Sequence, residues 1–158
     1  MRIITLVVLA CALASTAHAQ QSSQIRGFSV VLLLGEQQGS IPAEGLSPSA
    51  LRALADIKEF LPYKGYRVLD TQWVAGSDVG SSSGRIRSLD NFTLTFQVDT
   101  FPGGARFRLE IPGASSTAKR PLDSSFAIKP GETVVVGTSR IHGDSALIVL
   151  LTAVAAGK

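Results

Sequence analysis

The chain has 158 residues, of which 45% are hydrophobic, 17% charged and 6% aromatic, with a formal net charge of +3. That apolar fraction excludes a disordered protein, which carries too little apolar surface to offset the entropy lost on folding. The length accommodates one domain of ordinary size. Fifteen Gly and seven Pro without a three-residue period exclude collagen and favour a turn-rich β protein.

Met1-Arg2 supplies a positive start, and Ile3 to Ala14 is an apolar run broken only by Thr5. This run has the length of a signal-peptide core and is too short for a membrane-spanning helix, which needs about 20 residues. Ala17-His18-Ala19 matches the small-x-small cleavage pattern. The expectation is a signal peptide over residues 1–19, export to the periplasm or beyond, and one secreted domain over 20–158 with its ordered core at about 28–155. An alternative is lipidation at Cys11, because Val8-Leu9-Ala10-Cys11 loosely resembles a lipobox. Cleavage after Ala19 removes Cys11, the single cysteine, so the exported chain has no disulfide and no zinc site of the Cys/His kind. The remaining 14 basic and 12 acidic side chains nearly balance.

Gln20 to Gly27 reads as a polar lead-in. Phe28-Ser29-Val30-Val31-Leu32-Leu33-Leu34, stopped by Gly35, predicts a strand buried on both faces. After a loop from Gly39 to Gly45 comes the one convincing helix. Ser47 suits the cap, Pro48 the first helical position, and Pro62 marks the end, giving a helix from about Ser47 to Leu61. Leu51, Leu54, Ile57 and Leu61 share one side of it, while Arg52, Asp56 and Glu59 line the other.

Everything beyond Pro62 reads as strands. Tyr66 to Val74 is one. Gly76 to Gly84, rich in Ser and Gly, is expected to be a flexible loop. Arg85 to Leu89 is a short strand, and Phe92 to Asp99 alternates apolar and polar residues as a half-buried strand does. Ala105 to Ile111 repeats that alternation. A two-residue Gly103-Gly104 turn would place Val98 opposite Leu109, Phe96 opposite Ile111 and Asp99 opposite Arg108, and a one-residue slip would set Phe96 against Glu110. After a polar loop from Ala114 to Pro121, Ser125–Ile128 and Thr133–Arg140 flank Lys129-Pro130-Gly131-Glu132, a type II turn pattern. A further turn at His142-Gly143-Asp144 leads into Ala146–Val154, a buried strand. The fold class is therefore α+β, mainly antiparallel β-sheet with one amphipathic helix packed on it.

Little in this chain points to catalysis. His142 stands beside Asp144, with Ser139 and Ser145 near in sequence, but no Gly-x-Ser-x-Gly elbow accompanies them. A plain turn is the simpler reading. The acids are scattered, and no Gly-x-x-x-x-Gly-Lys pattern cradles a phosphate. No catalytic residue, cofactor or metal site is therefore assigned. Arg85, Arg87, Arg106 and Arg108 each alternate with apolar residues, so in a shared sheet they would form one basic face, with Arg67 as a candidate extension. They are the candidate ligand-binding residues, weighed against an ordinary solvated face. Trp73, Tyr63 and Tyr66 are either an aromatic platform or core, and Asn91-Phe92-Thr93 fits a glycosylation sequon.

Phe126-Ala127-Ile128-Lys129-Pro130-Gly131-Glu132-Thr133-Val134-Val135-Val136-Gly137 resembles the strand–Gly-Glu/Gln-Thr–strand hairpin of bacterial secretins, the outer-membrane pores of secretion and pilus systems. Ala146 to Thr152 is similar to the closing strand of the same domain. Thr138 and Ala153 stand where secretins carry a second Gly and a Thr-Pro, and the chain has no room for the pore's long hairpins. The resemblance implies an envelope-associated β module rather than a pore. The functional expectation is a non-catalytic periplasmic or secreted module that binds another envelope protein, a secretion-system protein being one candidate. The alternatives are a binder of a small anionic or glycan ligand through the arginine face or Trp73 and, third, a hydrolase. Nucleic acid is not an expected partner, and no transmembrane segment is expected after signal cleavage.

Overall fold

The computed structural model describes residues 24–39, 44–87, 93–110, 122–142 and 145–156. The expected signal segment with Cys11, the sequon match at Asn91, the loop expected at Ala114–Pro121, and Gly143 and Asp144 of the expected last turn lie outside the described residues. Among the described residues eight strands and one helix follow in the order β1 (Ile25–Glu36), α1 (Pro48–Ile57), β2 (Gly65–Ala75), β3 (Gly80–Arg87), β4 (Thr93–Phe101), β5 (Gly104–Glu110), β6 (Leu122–Ala127), β7 (Thr133–His142) and β8 (Ser145–Ala155).

Two four-stranded antiparallel sheets, β2-β1-β8-β7 and β3-β4-β5-β6, pack face to face. β2 runs beside β3 at one seam and β6 beside β7 at the other. The strands thus follow one another around the molecule in sequence order, and the β1–β8 ladder closes the circuit. The result is an up-and-down arrangement flattened into a sandwich.

Between the sheets lie Phe28, Val30 and Leu32 of β1, Leu147, Val149 and Leu151 of β8, and Leu94, Phe96, Phe107 and Leu109 of the opposing sheet, all buried. The Phe96 and Phe107 rings stack with centroids 5.9 Å apart. The alternate residues of the two central strands, Val31, Leu33, Ile148 and Leu150, face the other way, into a second core under α1 with Ala50, Leu54, Tyr63 and Tyr66. β1 and β8 are therefore buried on both faces, and this is why each reads as a continuous apolar run. The α+β class, a mostly antiparallel sheet structure carrying one packed helix, is what the structure shows.

The helix starts as expected. The Ala50 N–H donates to the Ser47 hydroxyl at 3.1 Å, and Pro48 occupies the first turn. It ends at Ile57 rather than Leu61. Beyond it, the Phe60 N–H donates to the Ile57 carbonyl in a tighter turn, and Pro62 biases the residue before it toward extended backbone. Leu61 still packs on the second core.

Three further expectations are corrected. Much of the Ser/Gly-rich stretch is not a loop: Gly80 to Gly84 form the first half of β3, paired with Thr100 to Phe96. Ser82 donates to the Ala75 carbonyl, and the Phe96 ring fills the space that a side chain at Gly84 would need. Second, the β4–β5 turn is Pro102-Gly103, with Gly103 at φ +82°, the left-handed angle of the third position of a type II turn. Val98 accordingly faces Phe107 and Phe96 faces Leu109, a shift of two residues from the expected register. Third, the Lys129–Glu132 turn forms, with the Glu132 N–H donating to the Lys129 carbonyl at 3.0 Å, but its flanks are not a hairpin. β6 belongs to one sheet and β7 to the other, so this turn is an arch between them.

Candidate functional site

The outward face of β3-β4-β5-β6 is the candidate site. Its ladders order the outward side chains in rows across the sheet. One row runs Ser81, Asp99, Arg106, Ser125; the next Ser83, Gln97, Arg108, Asp123; the next Arg85, Thr95, Glu110; the last Arg87, Thr93. All four arginines predicted from alternation thus share one face. Arg67 does not: it lies on β2 in the other sheet and pairs with Glu36 at 3.2 Å.

The two central arginines are held by acids. Arg106 makes a bidentate pair with Asp123, Nε to Oδ1 at 2.7 Å and an Nη2 contact to Oδ2 at 2.5 Å. Arg108 reaches diagonally to Asp99, whose other oxygen accepts from the Gln97 amide at 2.8 Å. The expected Asp99–Arg108 pair therefore exists, although Arg106 is the residue directly opposite Asp99. Ser81, facing Asp99 across the ladder, then Arg108 and Gln97, hold the Asp99 carboxyl below the usual carboxylate range. The Arg106 hydrogen bonds do the same for Asp123. The Arg108 Nε is buried without a hydrogen-bond partner, beside a depression of about 200 Å³ lined by Ser83, Thr95, Gln97 and Glu110.

Arg85 and Arg87 differ. They project from the edge strand, both exposed, and neither has an ion-pair partner among the described residues. Beside them an open cleft of about 530 Å³ is lined by Asp70 and Gln72 of β2, Ile86 and Thr93. Asp70 was not foreseen. Its carboxylate accepts the Thr71 and Arg87 backbone N–H groups, each at 2.8 Å, and so clips β2 to β3. A lone Asp within a strand pattern is the only sequence signal for that role.

The aromatic candidates separate. Tyr63 and Tyr66 are buried under the helix, with the Tyr66 hydroxyl donating to the Tyr63 carbonyl at 3.3 Å and burial raising its pKa. Trp73 is 52% exposed on the outer face of the other sheet. His142 is the last residue of β7, in register with Ser145 at the start of β8. Among the described residues no three His, Cys, Asp or Glu side chains come together as a metal site, and no helix is long and apolar enough to cross a membrane. The chain matches no family model, no curated protein and no solved structure.

What the arginine face can do chemically is present charge on a rigid frame. Its centre is neutralised and fixed by ion pairs. Its β3 edge offers two arginines, their Cα atoms about 7 Å apart along the strand, with capacity for bidentate contact to carboxylate or phosphate.

Proposed function

We propose that the protein is an exported, non-catalytic binding module of the cell envelope, whose β3–β6 face meets an acidic surface of another envelope protein. One observation carries this reading: Arg85 and Arg87 stand exposed on the edge of that face with no acid partner among the described residues, while Arg106 and Arg108 beside them are fixed in ion pairs. Complementary charge of this kind orients a partner and speeds its capture. The signal-like start supports the location. N-terminal sequencing of exported protein should begin at Gln20; a Met1 start or a lipidated Cys11 would oppose it.

The test is affinity capture from the protein's own envelope. Wild type and Arg106→Ser/Arg108→Ser should retain one partner at low salt. Arg85→Ser/Arg87→Ser should lose it, as should wild type near 1 M salt, where charges are screened within about 3 Å. Capture unchanged by the Arg85/Arg87 pair would place the partner elsewhere. A second reading, a small anionic or glycan ligand, is favoured by the cleft of about 530 Å³ beside these arginines. It predicts saturable uptake of a small anion by the purified protein alone.

A further inference from the structure

Helix α1 covers only part of the outer face of β2-β1-β8-β7. Over the covered part lie Val31, Leu33, Ile148 and Leu150. Farther along the same face, the ladders line up one residue from each strand: Trp73 of β2 opposite Ser29 of β1, Ser29 opposite Thr152 of β8, and Thr152 opposite Thr133 of β7. One aromatic ring is thus followed by three hydroxyl side chains in a straight row, about 14 Å long at the usual strand spacing.

The indole is fixed in place. A Cβ at Gly27 would stand 2.7 Å from Cζ2 and 2.9 Å from Cε2 of Trp73, so the ring rests on bare β1 backbone. The neighbouring Arg26 sets its guanidinium carbon 6.0 Å from the ring centroid. Arg26 has no carboxylate partner among the described residues. Asp78 approaches this end of β1, but one of its oxygens accepts the Ile25 N–H at 2.9 Å. At the far end of the row the Thr133 and Thr152 hydroxyls hydrogen-bond each other at 2.7 Å, and Thr152, itself buried, holds Thr133 in place.

We propose that this row binds an acidic polysaccharide. A sugar ring offers an apolar C–H face that stacks on an indole and hydroxyls that exchange hydrogen bonds with the half-buried Ser29 and Thr133. A carboxylate on the sugar supplies the anion that Arg26 lacks, in reach of the same ring. A lipid would need a contiguous apolar patch, and here polarity begins at the first residue beyond the indole. The site lies in the opposite sheet from the arginine face and does not depend on it.

Trp73 is the single tryptophan of the chain, so its fluorescence reads this site directly. Titration of the purified protein with polygalacturonate, and with dextran as the uncharged comparison, should give a saturable emission change with the first and at least tenfold weaker binding with the second. Calorimetry should show binding abolished in Trp73→Ala, weakened at least tenfold in Arg26→Ser, and unchanged in Arg85→Ser/Arg87→Ser. Should Trp73→Ala fail to fold, Trp73→Phe, which keeps a ring, should bind at least threefold more weakly than wild type with an unchanged thermal midpoint. No emission change, equal binding of dextran, undiminished binding in Trp73→Phe or Arg26→Ser, or loss in the Arg85/Arg87 pair would each overturn the proposal.

Discussion

The two sheets share one core and differ in what they turn outward. The β2-β1-β8-β7 sheet presents Val31, Leu33, Ile148 and Leu150 and needs a helix to cover them. The β3-β4-β5-β6 sheet presents Thr, Gln, Asp and Arg, and its outward face needs no cover. The lesson is one of division of labour. Where the helix covers it, the first sheet is buried on both faces and carries stability, whereas the second is buried on one face and turns charge to the solvent.

The sharpest way to break that comparison is to exchange the characters of the faces. Val149→Asp, on β8 between the sheets, places an unpaired charge where nothing is solvated. It should abolish cooperative unfolding measured by circular dichroism, whereas Thr95→Asp on the exposed arginine face should leave the melting curve almost unmoved. A smaller effect follows from loosening the cover. Leu54 is fully buried at the centre of the helix interface, so Leu54→Ala should cost about 3 kcal/mol in urea unfolding. Loss of the helix cap is milder: Ser47→Ala removes the acceptor of the Ala50 N–H and should cost about 1 kcal/mol.

The smallest effect belongs to the other sheet. Asp99 and Asp123 have folded-state pKa values below the usual range, so their ion pairs stabilise the fold above the unfolded carboxylate pKa, near 4. That contribution is lost as pH falls through the folded values. Urea midpoints measured from pH 5 down to pH 2 should therefore fall slightly less steeply in Asp99→Asn/Asp123→Asn than in wild type. The difference should shrink in high salt, because both pairs are partly exposed. An identical pH slope in the two proteins would deny the pairs any part in the acid response.

The same contrast explains which features were legible in the sequence. Strands buried on both faces announce themselves as apolar runs, so β1 and β8 stood out, and Ser47-Pro48 with leucines at helical spacing marked α1. Alternation placed Arg85, Arg87, Arg106 and Arg108 on one face correctly, because a strand has only two sides. It did not settle which acid each arginine meets. A shift of two residues preserves every inward and outward side, so apolar pattern alone cannot distinguish Pro102-Gly103 from Gly103-Gly104 as the turn. The left-handed backbone at Gly103 decides it, and with it that Arg106 rather than Arg108 stands directly opposite Asp99. Composition misled at Gly80 to Gly84, where the bare backbone of Gly84 lets β3 pass close over Phe96. Local turn chemistry was silent on whether Lys129–Glu132 joins strands of one sheet or links two.

The most direct measurement is site-specific photocrosslinking in the native envelope, comparing one exposed position on each outward face. A photoreactive residue at Thr95 lies between Arg85 and Glu110 on the open face, and one at Asp56 lies on the solvent side of the helix that covers the other. Crosslinks to one envelope protein from position 95, lost when Arg85 and Arg87 are changed to Ser and absent from position 56, are the predicted result. Crosslinks from position 56 with none from position 95 would contradict the assignment of recognition to the arginine face.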